Sequence, residues 1–168
     1  SDLIKRYFYD EGDMFALSQA LAETNVRLMS GHINAARYLP IFGVQNTVSI
    51  VRDPVDQLIS HFRHFKRDNG FSGTFEEFAD MEKHNAVQSR LLQGVPVEAY
   101  RYIGLTEDYD ESLRQIGEIC SAAIPSRRDN VTGRKQNENT VVTDEMREVA
   151  LEKTAVDRAL YEKVKQLN

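Results

Sequence analysis

A single cysteine, no long apolar run and no excess of positive charge narrow what this chain can be before any motif is read. With Cys120 alone, no internal disulfide forms and a cysteine-rich zinc site is excluded. Cys120 falls on the apolar side of a helical pattern, which marks a buried structural thiol rather than a nucleophile. No apolar stretch approaches the ~18–20 residues needed to cross a bilayer, and no signal-peptide pattern opens the sequence. A reducing, cytoplasmic setting is the simplest expectation. The net charge of −5 argues against a general nucleic-acid binder, because such domains are usually basic. What is present suffices for a core. Hydrophobic residues make up 41% of the 168, as expected for one domain over 1–168, and no repeat, low-complexity tract or linker divides it.

The chain is organised around residues 46–66. A β-branched run, Val48 to Val51, stops at Arg52-Asp53-Pro54, and a helical pattern follows at once. Pro54 suits the first helical position and Asp53 the N-cap, with Asp56 adding negative charge where the helix dipole favours it. Val55, Leu58, Ile59, Phe62 and Phe65 recur at helical spacing as a buried stripe. The spacing therefore predicts a strand–turn–helix unit with an arginine at the carboxyl end of the strand, where open α/β sheets bind ligands.

Around this unit, residues 1–9 read as a connector or short strand, and Asp13 as the cap of a helix ending near Glu23. Residues 26–29 form a second strand candidate, and residues 35–39 one helical turn before Pro40. Thr74 with Glu77 is a capping box. Residues 85–92 read as one helix and 100–105 as a third strand candidate. A helix follows from Thr106, then a basic loop over 125–139, a helix capped by Thr143 and a last helix capped by Asp157. Short strands alternating with helices predict an α/β domain with a small parallel sheet.

Three constellations carry chemistry. The Arg52 guanidinium and the Ser60 hydroxyl can both reach an anion lying along the helix start, since arginine presents planar, bidentate donors. The alternative pairs Arg52 with Asp53 or Asp56 and leaves Ser60 solvated, and spacing alone favours it. His32 follows a strand candidate, and its ordinary pKa of ~6.5 suits a general base, although a lone histidine is more often structural. His61 and His64 stand three apart, but no carboxylate or cysteine pattern completes a metal site. The basic loop carries Arg127, Arg128, Asn130, Arg134 and Lys135, and reads either as an anion clamp or as a solvated loop.

The order of these residues resembles the sulfotransferase family related to heparan sulfate 2-O-sulfotransferase. The match runs from Tyr9-Asp10-Glu11-Gly12-Asp13 through Ser30-Gly31-His32 to Thr47-Val48-Ser49-Ile50-Val51-Arg52-Asp53-Pro54-Val55 and Ile59-Ser60-His61-Phe62. It continues through Asn85-Ala86-Val87-Gln88-Ser89-Arg90-Leu91-Leu92-Gln93-Gly94, Ile103-Gly104-Leu105-Thr106-Glu107, Asp110-Glu111-Ser112-Leu113 and Asn130-Val131-Thr132. The resemblance implies a P-loop NTPase-like fold, a small parallel sheet flanked by helices. It also implies transfer of a sulfuryl group from 3′-phosphoadenosine 5′-phosphosulfate (PAPS) to a hydroxyl-bearing acceptor, a carbohydrate among the candidates. Arg52 and Ser60 then match the pair that holds the donor's 3′-phosphate, His32 matches the general base, and Arg134 and Lys135 lie where a basic loop closes over the nucleotide. No metal is implied. Arg37, Arg63, Asn85 and Gln88 are candidate acceptor contacts.

The family also carries, near its start, a strand and a loop of the form Pro-Lys-Thr-Gly-Gly-Thr-Ser that cradles the 5′-phosphosulfate. None of Pro40, Pro54, Pro96 and Pro125 begins that pattern here. The expectation is of a domain lacking its N-terminal strand and loop. The alternative is a non-catalytic module of the same fold that binds a nucleotide or a sulfated glycan.

Overall fold

The computed structural model describes residues 2–24, 26, 28–126 and 141–168. It is an α/β structure, about 63% helical, so its small two-stranded parallel sheet is enclosed by helices rather than forming a broad layer.

The N-terminal segment is helical, not extended. Helix α1 (Asp2–Lys5) runs into a π-helical stretch, Arg6–Glu11, that ends at Gly12 with φ of 60°. Ile4 and Phe8, one helical turn apart, are buried together against Leu17 and Tyr38. Helix α2 (Met14–Ala22) starts at Asp13, whose carboxylate accepts from Ala16 N–H at 2.9 Å. Of the strand expected over 26–29, the described residues 26, 28 and 29 are not in a strand. Val26 and Leu28 are exposed, and no neighbouring strand among the described residues offers them a ladder. A 3-10 turn, Ala35–Arg37, leads into α3 (Leu39–Phe42), which passes through Pro40. A proline in the first turn lacks only an N–H that no intrahelical bond needs.

Strand β1 (Val48–Val51) and helix α4 (Pro54–Asp68) form the expected unit. Val55, Leu58, Ile59 and Phe62 of α4 are buried and Phe65 packs beside them. Phe75, Phe78 and Ala79 of α5 (Phe75–Asp80) complete that cluster with residues of a later helix. The helix expected over 85–92 is two pieces, α6 (Glu82–Asn85) and α7 (Val87–Leu91), parted at Ala86. Asn85 turns its amide back onto the Ala79 carbonyl at 3.0 Å, and α7 receives a cap of its own from a distant carboxylate described below.

Strand β2 (Tyr102–Leu105) lies parallel to β1, with Val48 opposite Tyr102 and Val51 opposite Leu105. Helices α8 (Tyr109–Cys120), α9 (Asp144–Lys153) and α10 (Ala155–Leu167) follow. The N-cap position of α10 is Thr154, so Asp157 lies inside the helix rather than capping it. Strand alternation divides the sheet. Val51, Ile103 and Leu105 share a face and pack with Tyr161 and Val164 of α10, whereas Gly104 faces Ser112 of α8. No helix among the described residues is long and apolar enough to cross a membrane.

Candidate functional site at the end of β1

The carbonyls of Thr47 and Val51 accept from Arg101 and Thr106 N–H, on the β2 side. Main-chain groups alternate along a strand, so those of Val48, Ile50 and Arg52 point to the opposite edge. At Arg52 that edge is closed by one side chain. The Gln88 amide oxygen accepts Arg52 N–H at 2.8 Å, and its nitrogen donates to the Arg52 carbonyl at 2.9 Å. Gln88 is buried, which removes it as an acceptor contact, whereas Asn85 is half-buried and donates from its amide nitrogen to the Ala79 carbonyl.

The next residue is fixed from the other side. Asp53 N–H donates to Glu107 at 2.8 Å, and Tyr161 Oη donates to the other oxygen of Glu107 at 3.0 Å. Burial, then the Glu107 carboxylate, pushes the Tyr161 phenol up from its ordinary range, so the hydroxyl keeps its proton and remains a donor. The Asp53 carboxylate takes Val55 N–H at 2.9 Å and Asp56 N–H at 3.1 Å. Those two amides are therefore committed to Asp53, and an incoming anion would rely on side chains.

Arg52 supplies one. Its expected ion pairs do not form: Asp53 caps the helix, and Asp56 pairs with Arg147 at 3.3 Å. Among the described residues no ion pair or hydrogen bond reaches the Arg52 guanidinium, which is half-buried. Ser60 is exposed on α4, on the face it shares with Asp56, seven residues past the cap and so about 10 Å along the helix axis.

His32 is exposed and lines a cavity of about 850 Å³ beside β1. Thr47, Val48, Ser49 and Ile50 form one wall, and Leu91, Leu92 and Tyr109 contribute others. The wall along β1 ends at Ile50, and neither Arg52 nor Ser60 lines the cavity. The structure thus brings His32 to the flank of β1 and keeps Arg52 and Ser60 beyond its end. Arg134 and Lys135 lie outside the described residues, as do Arg127, Arg128 and Asn130.

His61 is not a solvated residue. It lies edge-on to Phe65, Phe78 and His84, with its Nδ1 buried and unpartnered. His64, by contrast, is exposed and meets Asp68 at 2.8 Å. Among the described residues no group of three or more histidine, cysteine or acidic side chains is placed to hold a metal ion.

Sequence reasoning missed what Asp157 does. Its carboxylate, 1% exposed, accepts Gln88 N–H at 3.1 Å and Ser89 N–H at 2.7 Å, across about seventy residues of chain. The signal was there: Asp157, Tyr161 and Val164 recur at the i, i+4, i+7 spacing of a buried stripe, and a carboxylate on such a stripe needs a partner. No protein-family model, curated protein or solved structure matches the chain.

Proposed function

We propose that this chain is a sulfotransferase-like domain of P-loop NTPase-like architecture that binds PAPS and serves transfer of its sulfuryl group to an acceptor hydroxyl. The observation that carries the proposal is Arg52, a guanidinium with no counter-ion among the described residues, just past the carboxyl end of a parallel strand, on a main chain held from two sides. Arg52 and Ser60 hold the 3′-phosphate, and Arg134 and Lys135 add charge against the nucleotide. The ordered resemblance across most of the chain supports the same roles.

In the step itself the acceptor oxygen attacks sulfur in line, forming one S–O bond as the bridging S–O bond to the nucleotide breaks. The acceptor proton passes to the His32 imidazole, and 3′-phosphoadenosine 5′-phosphate leaves with the charge of the broken bond. A positioned histidine is worth ~10²–10⁴-fold in such a transfer. The acceptor is a hydroxyl compound, with carbohydrates in the class. The lone free thiol, Cys120, suits a reducing, cytoplasmic setting.

Titration calorimetry with 3′-phosphoadenosine 5′-phosphate tests this. Charged hydrogen bonds to a phosphate predict that Arg52→Ala weakens binding roughly ten- to hundredfold. Equal affinity in the variant overturns the assignment.

A second reading, a binding module without catalysis, is favoured by one observation: the cavity that His32 lines does not include Arg52 or Ser60. A sulfuryl-transfer assay on the full-length gene product separates the two. Turnover lost in His32→Ala, with nucleotide binding kept, supports the enzyme; absence of turnover in the unaltered protein, or full turnover in His32→Ala, removes His32 from the chemistry.

A further inference from the structure

We propose that α10 is the positioning element of the Arg52 turn, and that Asp157 and Tyr161 are its two positioning residues. The proposal rests on the reading that Arg52 binds the donor's phosphate.

Asp157 and Tyr161 stand four residues apart on the buried face of α10, and each is the root of an arm that ends on the turn. In the first, the Asp157 carboxylate holds the amides of Gln88 and Ser89 at 3.1 and 2.7 Å and so fixes the start of α7. The Gln88 side chain then brackets the N–H and carbonyl of Arg52. In the second, Tyr161 donates to Glu107 at 3.0 Å, and Glu107 accepts from Asp53 N–H at 2.8 Å. Two adjacent residues of the turn are thus tied to one helix by independent routes.

Packing alone does not ask for these groups. Val164, one turn further along the same face, is fully buried and apolar, and burying a carboxylate is costly unless hydrogen bonds satisfy it. What the carboxylate and phenol add is a fixed main chain beneath a guanidinium that has no ion pair or hydrogen bond among the described residues. A pre-set backbone lowers the ordering cost when an anion is bound.

The test compares affinity for 3′-phosphoadenosine 5′-phosphate, melting temperature and amide exchange in the unaltered protein and in Asp157→Asn, Tyr161→Phe, Val164→Ala and Arg52→Ala. Loss of one bond in an arm predicts affinity weakened roughly three- to tenfold in Asp157→Asn and in Tyr161→Phe. Exchange should quicken at the Arg52 amide in the first variant and at the Asp53 amide in the second. Val164→Ala should lower the melting temperature and leave affinity unchanged. Tyr161→Phe deletes one hydroxyl and keeps the ring, so it carries the test even if Asp157→Asn does not fold. Unaltered affinity in Tyr161→Phe with unchanged Asp53 exchange overturns the positioning role, as does an equal affinity loss in Val164→Ala. If Arg52→Ala loses binding while Asp157→Asn and Tyr161→Phe keep it, the positioning role alone falls. If the unaltered protein does not bind, or Arg52→Ala binds as well, the donor-site reading falls and takes the positioning role with it.

Discussion

Gln88 meets Arg52 as a neighbouring strand would, accepting its N–H at 2.8 Å and donating to its carbonyl at 2.9 Å. One side chain thereby closes the open edge of β1 at the residue on which the proposed site depends. Replacing it leaves two main-chain groups without partners. Gln88→Leu keeps most of the volume and should cost about 2–3 kcal/mol, the penalty of stranding buried polar groups. Urea denaturation measures it. A loss under about 0.5 kcal/mol, the range of an ordinary surface change, would show that solvent satisfies Arg52 instead.

His84 should make the protein acid-sensitive. Its ring is 3% exposed and stacks on Phe78 at 3.9 Å. Burial lowers its pKa to about 4, helped by His61, Lys83 and Arg90, all cationic when protonated. The folded state therefore binds fewer protons here than the unfolded chain, whose histidine titrates near 6.5. Stability from this group is complete above that value and is lost as pH falls toward 4, by up to about 3 kcal/mol. His61, whose pKa is lowered by burial, His64 and Lys83, adds in the same direction. Denaturation midpoints between pH 7 and 5 should fall in the unaltered protein and fall less in His84→Phe. Parallel slopes for the two would refute the assignment.

Gly104 and Ser112 set how closely α8 approaches the sheet. A methyl group at Gly104 would lie 2.4 Å from Ser112 Oγ, and that hydroxyl bridges Leu105, accepting its N–H at 2.9 Å and donating to its carbonyl at 2.8 Å. Gly104→Ala should therefore destabilise by about 1–3 kcal/mol through overpacking. Adding Ser112→Gly should recover part of this, since it removes the clashing atoms. If the double variant is less stable than the two single losses combined, close packing is not the cause.

The start of α5 offers a local check. Thr74 Oγ1 accepts from Glu77 N–H at 3.2 Å, and the Glu77 carboxylate accepts from Thr74 N–H at 2.8 Å. Thr74→Ala breaks this reciprocal cap and should cost about 1 kcal/mol. A melting temperature identical to that of the unaltered protein would show the cap to be idle.

Much of this was legible in the sequence because it is written locally. Val48 to Val51, the Asp53 cap, Pro54 and the stripe from Val55 to Phe65 each depend on residues within a few positions, and each forms as spacing predicts. The capping box at Thr74 and the caps at Asp13 and Thr143 follow the same logic. The failures share a cause as well. Residues 26–29 have strand composition, but a strand needs a neighbour, and none lies beside them among the described residues. Residues 1–9 read as a connector or short strand, whereas the structure makes them helical, with Ile4 and Phe8 packed against Leu17 and Tyr38.

The site divides along the same line. That Arg52 ends a strand and Asp53 opens a helix follows from local spacing, because those are properties of neighbouring residues. It took long-range packing to turn Asp56 to Arg147, leaving Arg52 with no counter-ion among the described residues. The same packing made Asp157 a support for α7 rather than the cap of its own helix, and sent Gln88 to Arg52 rather than to solvent. Caps and stripes are fixed by spacing along the chain, whereas a buried polar group takes whichever partner folding brings within about 3 Å of it.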